Sequence, residues 1–100
     1  IEEQVECVKT VCDLIDHSDY PVVLMGDFNV TPENPVLEPI RQRLRDTAEL
    51  PEGALATFPS DKPDIKIDFI FISENLPLET VTIPTKIVSD HLPIVAQIRF

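Results

Sequence analysis

Hydrophobic positions in the first segment recur at helical spacing. Apolar side chains stand at Val5, Val8, Val11/Cys12 and Ile15, three or four residues apart. This spacing predicts an amphipathic helix over residues 2–17 with one buried stripe. The opening residues read as a helix already under way, without a cap residue before it. We therefore expect the chain to begin inside a domain.

An unbroken apolar run follows at residues 20–25 and ends abruptly in Gly26-Asp27-Phe28-Asn29. A short run without alternation predicts a strand covered on both faces. Asp27 and Asn29 would then lie at the carboxyl edge of a sheet, where ligands often bind in α/β folds.

The middle of the chain predicts a second helix over residues 35–45, preceded by a proline-containing loop. Pro39 would cost a backbone hydrogen bond beyond the first turn. Either the helix starts near Glu38, or the stretch begins as a 3₁₀ turn. The arginines of this segment would form a solvated helix face: Arg41, Arg43 and Arg45.

The remaining pattern is rich in β-branched and aromatic residues. Alternating side chains over residues 65–72 predict a strand. Residues 79–88 are expected to form an edge strand interrupted at Pro84, and residues 56–58 a short strand. Residues 46–52 are expected to connect elements. The last strand, residues 94–100, would share one face among Ile94, Ala96, Ile98 and Phe100. Helix, strand, helix and then several strands indicate an α/β fold.

Length and charge exclude several classes of protein. A chain of 100 residues suits one small domain, and its net charge of −10 argues against a basic nucleic-acid-binding patch. No apolar stretch approaches the roughly 18 residues of a membrane span. Cys7 and Cys12 lie about 8–9 Å apart in a helix, beyond disulfide reach, and are predicted to be two buried thiols. His17, at the helix end, needs no role beyond favouring the helix dipole.

Three polar groups stand out beside apolar strands. Asp27 can polarise a water or hold a metal, and Asn29 can donate a hydrogen bond to a phosphoryl oxygen, unless both only form an Asx-turn. Asp68 interrupts an apolar strand, so it either faces solvent on an edge strand or needs a cationic or N–H partner. Asp90 and His91 could bind a metal or supply a general acid, or form an ordinary polar turn.

These groups complement one another. Asp68 would fix the tautomer of His91 and stabilise its imidazolium form, while His91 would supply the cation that Asp68 needs. Asp27 and Asn29 would lie beside them if the strands end at one edge. Such a set suits phosphoester hydrolysis, which requires positioning and neutralised charge on the phosphoryl oxygens.

Three motifs, in order, resemble those of the endonuclease/exonuclease/phosphatase (DNase I-like) superfamily. They are residues 21–29 (PVVLMGDFN), 66–71 (KIDFIF) and 89–95 (SDHLPIV). The resemblance implies a four-layer α/β sandwich, with mixed β-sheets flanked by helices. Residues 1–100 would be a single partial domain, the carboxyl-terminal half of that sandwich.

The resemblance also implies site roles. Asp27 would orient or activate the attacking water, Asn29 would bind the phosphate or a metal-bound oxygen, and Asp68 would pair with His91. His91 would bind and neutralise the scissile phosphate. Asp90, with Asp27 and Asn29, would help to ligate Mg²⁺ or Mn²⁺.

The implied function is divalent-metal-dependent hydrolysis of phosphoester bonds, by a phosphodiesterase or phosphatase. The family's early Asn, principal metal-binding Glu and central His or Tyr have no counterpart in this chain, so it should be inactive alone. A small-molecule or lipid-type phosphoester is the favoured substrate. A nuclease acting on DNA or RNA, and a non-catalytic interaction module with the same fold, remain alternatives. The missing amino-terminal half is one expected partner, and self-association through an exposed sheet face is another.

Overall fold

The computed structural model describes residues 2–50, 53–54 and 56–99, with only the backbone described at 49, 50, 53 and 54. Helices and strands follow in the order α1 (Glu2–Asp16), β1 (Val23–Asp27), a 3₁₀ turn (Pro35–Leu37), α2 (Glu38–Arg41), β2 (Leu44–Asp46), β3 (Glu49–Leu50), β4 (Gly53–Ala54), β5 (Asp68–Ser73), β6 (Leu78–Thr82) and β7 (Val95–Ile98). The predicted α/β class is confirmed. No helix in the described part of the chain is long and apolar enough to span a membrane.

Helix α1 matches the predicted amphipathic helix to within one residue. Val8 and Cys12 are buried, and Ile15 packs against the same hydrophobic cluster. The prediction of two buried thiols is wrong for Cys7, which is exposed. Cys7 lies one residue before Val8, and so about 100° around the helix from the buried stripe.

Strand β5 lies at the centre of a three-stranded sheet, with β1 on one side and β2 on the other. Both pairings are antiparallel, and Asp27 at the end of β1 lies opposite Asp68 at the start of β5. A central strand excludes the alternative in which Asp68 faces solvent on an edge strand. Because β1 and β5 run in opposite directions, the end of β1 and the beginning of β5 meet at one edge of the sheet. The candidate site lies at this edge.

Strand β5 begins three residues later than predicted, and its four central residues are all buried rather than alternating. Phe69 and Phe71 pack into a cluster with α1 and α2, while Ile70 and Ile72 pack on the opposite face with β6 and β7. Ile65 forms only an isolated bridge with Phe58. Both faces of this strand are therefore covered.

Strand β1 is less covered than predicted. Val23 and Leu24 are half-buried against the two clusters, whereas Met25 is 64% exposed. Among the described residues, β1 is therefore partly covered at its first two residues and exposed at the other three, instead of being buried on both faces as predicted. Self-association through this exposed apolar surface stays a prediction.

The predicted second helix is shorter than its hydrophobic spacing suggests. Both proposed starts occur together: a 3₁₀ turn capped by the Asn34 side chain leads into α2 at Glu38. Pro39 lies in the first turn of α2, where a missing N–H costs little. The chain then enters β2 at Leu44 instead of continuing as helix.

The expected solvated arginine face is wrong at all three positions, since each guanidinium contacts another part of the chain. Arg41 is half-buried and donates a hydrogen bond to the carbonyl of Pro32 at 2.8 Å. Arg43 forms a two-point ion pair with Asp16 of α1, with N–O distances of 2.8 and 3.0 Å. Arg45 lies on β2 and donates a hydrogen bond to the carbonyl of Leu76 at 2.6 Å. These contacts tie α1 and the β5–β6 connection to the segment around α2.

Strands β6 and β7 form a separate antiparallel pair. β6 ends at Thr82, two residues before Pro84, so the predicted strand through residue 88 is too long. Ile94, Ala96 and Ile98 pack together against the cluster of Ile70 and Ile72, which confirms their shared face. Phe100 lies outside the described residues. Residues 46–52 include the last residue of β2 and the short strand β3, so they are not simply a connection.

Candidate active site

The end of β1 presents two polar side chains because the residue between them turns inward. The ring of Phe28 packs edge-on against Phe69 and Phe71, with centroid separations of 5.3 and 5.7 Å. The backbone N–H of Phe28 also donates to the carbonyl of Ile67 at 2.9 Å. Asp27 and Asn29 are consequently left exposed at the sheet edge.

Asn29 adopts a left-handed backbone conformation, with φ of 54°. Asparagine tolerates this region better than most residues. Its backbone N–H donates to Oδ1 of Asp27 at 2.9 Å, so the anticipated Asx-turn is present. The turn uses the Asn29 main chain and one Asp27 oxygen. Within the described residues the Asn29 side-chain amide has no hydrogen-bond partner, so the turn and a binding role are compatible.

His91 lies in a loop that is anchored to residues 57–60. The N–H of Leu92 donates to the carbonyl of Thr57 at 2.7 Å, and the N–H of Ser60 donates to the carbonyl of Asp90 at 2.8 Å. The imidazole packs against the ring of Phe58, with centroids 4.8 Å apart. These contacts bring a residue from the far end of the sequence to the Asp27–Asp68 edge.

The imidazole of His91 lies between two carboxylates. Its Nδ1 is 2.7 Å from Oδ2 of Asp68, and its Nε2 is 3.6 Å from Oδ2 of Asp27. The hydrogen bond to Asp68 raises the pKa of His91 above its usual range, and the nearby charges of Asp27 and Asp90 act in the same direction. Partial burial opposes the shift. The predicted Asp68–His91 pairing is therefore present, and Asp27 lies beside it.

Asp68 is held from two sides. Its Oδ2 accepts the hydrogen bond from His91 and a second, 2.7 Å long, from the hydroxyl of Thr57. Thr57 is fully buried. Sequence reasoning missed Thr57, because a threonine in a short apolar stretch carries no signal of its own. A buried hydroxyl needs a partner, and a carboxylate eleven residues later supplies it.

Asp90 is separate from this group. It is exposed, and its Oδ1 accepts a hydrogen bond from the Ser89 hydroxyl at 3.1 Å. The carboxylates and imidazole of Asp27, Asp68 and His91, in contrast, place ligand atoms within 4.8 Å of one another and could hold a metal ion. The structure thus brings together three of the five predicted site residues, with Asn29 adjoining through its backbone. Asp90 precedes His91 in the sequence, and its negative charge helps to raise the pKa of that imidazole.

Comparison with known proteins decides the family. Residues 3–91 match the model of the Endonuclease/Exonuclease/phosphatase family. The chain belongs to this family. The resemblance predicted from the three motifs is confirmed, and those motifs supply the five predicted site residues, whereas Thr57 and Phe58 lie outside them.

Solved structures share the fold of this family member. One is an endonuclease/exonuclease/phosphatase from Bacteroides vulgatus, 25% identical with a TM-score of 0.83 over 98% of this chain. Two others have TM-scores of 0.78: a mannosyl-6-phosphatase from Bacteroides thetaiotaomicron VPI-5482, 21% identical over 99% of this chain, and a functionally unknown conserved protein from Enterococcus faecalis V583, 22% identical over 96%. This chain covers 44–46% of their lengths. No curated protein sequence is significantly similar to it.

A buried ion pair adjoins the candidate active site of this endonuclease/exonuclease/phosphatase family member. Lys66 and Asp46 are both buried, with Nζ 3.4 Å from Oδ2. Burial lowers the pKa of Lys66, and the Asp46 carboxylate partly offsets that effect. The alternating pattern of residues 65–72 does not reveal that the lysine is buried, because charged residues at alternate positions usually face solvent.

Proposed function

We propose that the natural protein that carries this chain hydrolyses phosphoester bonds, and that residues 1–100 supply the carboxyl-terminal half of its catalytic domain. The observation that carries the proposal is the arrangement of His91 between the carboxylates of Asp68 and Asp27. Membership of the family supports the same chemistry. The roles of the individual residues follow from their contacts.

His91 binds the scissile phosphate. Asp68 holds Nδ1, so that Nε2 faces the exposed edge occupied by Asp27. The 3.6 Å from Nε2 to Asp27 exceeds ordinary hydrogen-bond length, which leaves the Nε2–H available to a phosphoryl oxygen. A protonated imidazole would donate a charge-assisted hydrogen bond and reduce the negative charge that repels the attacking water.

Asp27 and Asn29 act on either side of this contact. The Asp27 carboxylate is 38% exposed and can orient a water and accept its proton. The unpartnered amide of Asn29 can donate to a second phosphoryl oxygen. The Asx-turn fixes the two residues relative to each other, so neither has to be reordered when the substrate binds.

The residues present fit a hard divalent cation such as Mg²⁺ or Mn²⁺. Both ions prefer oxygen ligands, and the exposed carboxylate of Asp27 and the Asn29 amide oxygen are of that type. The Asp90 carboxylate is also exposed, but it lies outside the group of ligand atoms formed by Asp27, Asp68 and His91. Asp68 fits less well, since its Oδ2 already accepts two short hydrogen bonds. A bound ion would neutralise charge on the phosphoryl oxygens.

The favoured substrate is a small-molecule or lipid-type phosphoester. The net charge of −10 disfavours a polyanionic nucleic acid on this half of the domain. The fold shared with a mannosyl-6-phosphatase supports a small phosphorylated molecule, such as a sugar phosphate. Nucleic acid and a purely binding role become outcomes of the test.

Hydrolysis by the natural full-length protein tests this proposal. Hexose 6-phosphates, bis-p-nitrophenyl phosphate, phospholipid vesicles and a DNA oligonucleotide are incubated with the protein and Mg²⁺ or Mn²⁺. We expect turnover of a small-molecule or lipid phosphoester. We also expect chelation with EDTA to reduce the rate at least about 100-fold and added Mg²⁺ to restore it.

Two results would assign a different function to the protein. Cleavage of DNA alone would assign a nuclease, and an absence of turnover on every substrate with either metal would favour a binding module. A rate that EDTA leaves unchanged would contradict the metal requirement.

A further inference from the structure

The buried Lys66–Asp46 pair adjoins Asp68 at the candidate active site. The side chain of Lys66 is 1% exposed and that of Asp46 is 0% exposed. Asp46 Oδ1 accepts a hydrogen bond from the N–H of Ala48 at 2.9 Å, whereas Oδ2 faces Lys66 and has no hydrogen bond among the described residues. The ion pair is therefore the contact that compensates this buried oxygen.

Stability does not account for such a pair. Removing two charges from water is costly, and a well-packed apolar pair of similar volume is often as stable or more stable. The ammonium also lies over the face of the Phe69 ring, 3.4 Å from its centroid. A buried lysine in this position suggests a role that an apolar side chain could not fill.

The hydrogen bond donated by Lys66 indicates that role. Its Nζ donates to the main-chain carbonyl of Asp68 at 2.7 Å. The same residue accepts hydrogen bonds from His91 and Thr57 through its side chain. Main chain and side chain of Asp68 are thus held by separate donors. Asp46 keeps the ammonium in place from β2, which pairs with β5.

We propose that Lys66, held by Asp46, is a positioning residue that fixes the backbone of Asp68 and thereby sets the orientation of His91. The expected loss of kcat rests on the proposed function, whereas the expected change in the orientation of His91 does not. Loss of the donor would let the first peptide of β5 shift. Displacements of about 1 Å in an active site can reduce catalysis about 100-fold.

The kinetic test replaces both charges at once, so that neither is left unpaired. We expect the Lys66→Met/Asp46→Leu double variant to keep its melting temperature within a few degrees, while kcat falls about 10- to 100-fold and KM stays unchanged. Lys66→Arg keeps a cationic donor and should recover most of kcat. Lys62→Met, at an exposed position of the 60–64 turn, serves as the matched control and should change neither constant.

A spectroscopic test separates this inference from the proposed function. The Nδ1 proton of His91 should resonate far downfield in the wild-type NMR spectrum because of its short hydrogen bond to Asp68. In the double variant this resonance should move or broaden. If the protein hydrolyses no phosphoester, the proposed function fails, yet the resonance still decides the positioning role.

Several outcomes would overturn the inference. An unchanged resonance in the folded double variant would do so, whether kcat falls or not, because the pair would then not act through His91. If the double variant does not fold, the NMR signals of the Lys66 Nζ protons in the wild-type protein test the inference instead. Slowly exchanging Nζ protons on Lys66 support the hydrogen bond to Asp68, and rapid exchange with solvent contradicts it.

Discussion

Replacing His91 with alanine should lower kcat/KM for the proposed phosphoester hydrolysis about 1,000-fold, which corresponds to about 4 kcal/mol of transition-state stabilisation. The variant loses the cationic donor that Asp68 orients toward the exposed edge. Removing a single preorganised donor or acid–base group typically costs 100- to 10,000-fold. The measurement is steady-state hydrolysis by the full-length protein with saturating Mg²⁺.

His17→Ala is the matched control. His17 is exposed near the end of α1, where its Nδ1 lies 2.7 Å from the Asp13 carbonyl. Its replacement should leave kcat/KM within about twofold, because no contact in the described part of the chain links its side chain to the site residues. A loss of less than tenfold in His91→Ala, or equal losses in both variants, would show that the imidazole between the two carboxylates is not catalytic.

Replacing Lys66 alone with alanine should lower the free energy of unfolding by about 3–5 kcal/mol. The variant leaves the Asp46 carboxylate buried without its compensating charge, and also removes the donor to the Asp68 carbonyl and the contact with Phe69. That loss is a large share of the roughly 5–15 kcal/mol that stabilises an ordinary domain. Denaturant unfolding of the full-length protein measures it.

Two further variants test whether the loss of stability comes from the Lys66–Asp46 pair. Lys62→Ala removes an exposed lysine four residues away and should change the unfolding free energy by less than about 0.5 kcal/mol. Combining Lys66→Ala with Asp46→Leu should recover part of the loss, because the unpaired carboxylate disappears. If Lys66→Ala is as stable as wild type, the ammonium is not needed to compensate Asp46.

The site was predictable because each of its groups interrupts an apolar pattern. Asp27 ends the apolar run of β1, Asp68 begins that of β5, and His91 precedes the run of β7. Polar side chains in such places need a partner or a function. Antiparallel pairing, which the sequence pattern did not specify, explains how the beginning of β5 meets the end of β1.

The supporting residues were not predictable in the same way. Thr57 and Lys66 owe their roles to contacts with the main chain or with residues in other elements. Hydrophobic periodicity reports which residues face the core, and it places a lysine or threonine on the solvent side by default. A buried polar network becomes visible only when the chain is folded.

Errors in the element boundaries have a related cause. Leu44 fits the helical spacing that begins at Val36, yet it starts strand β2 because pairing with β5 outweighs local helix preference. The same strand carries Asp46 to its buried place beside Lys66. Predicting a longer helix therefore also concealed the ion pair.

In the proposed function, Asp68 serves catalysis by orienting His91. The most direct test is to measure hydrolysis and thermal unfolding in parallel for Asp68→Asn, which keeps the size of the side chain and removes its charge. We expect kcat to fall about 100- to 1,000-fold and the melting temperature to stay within a few degrees of wild type. An unchanged kcat, or a loss of stability that matches the loss of activity, would contradict the claim.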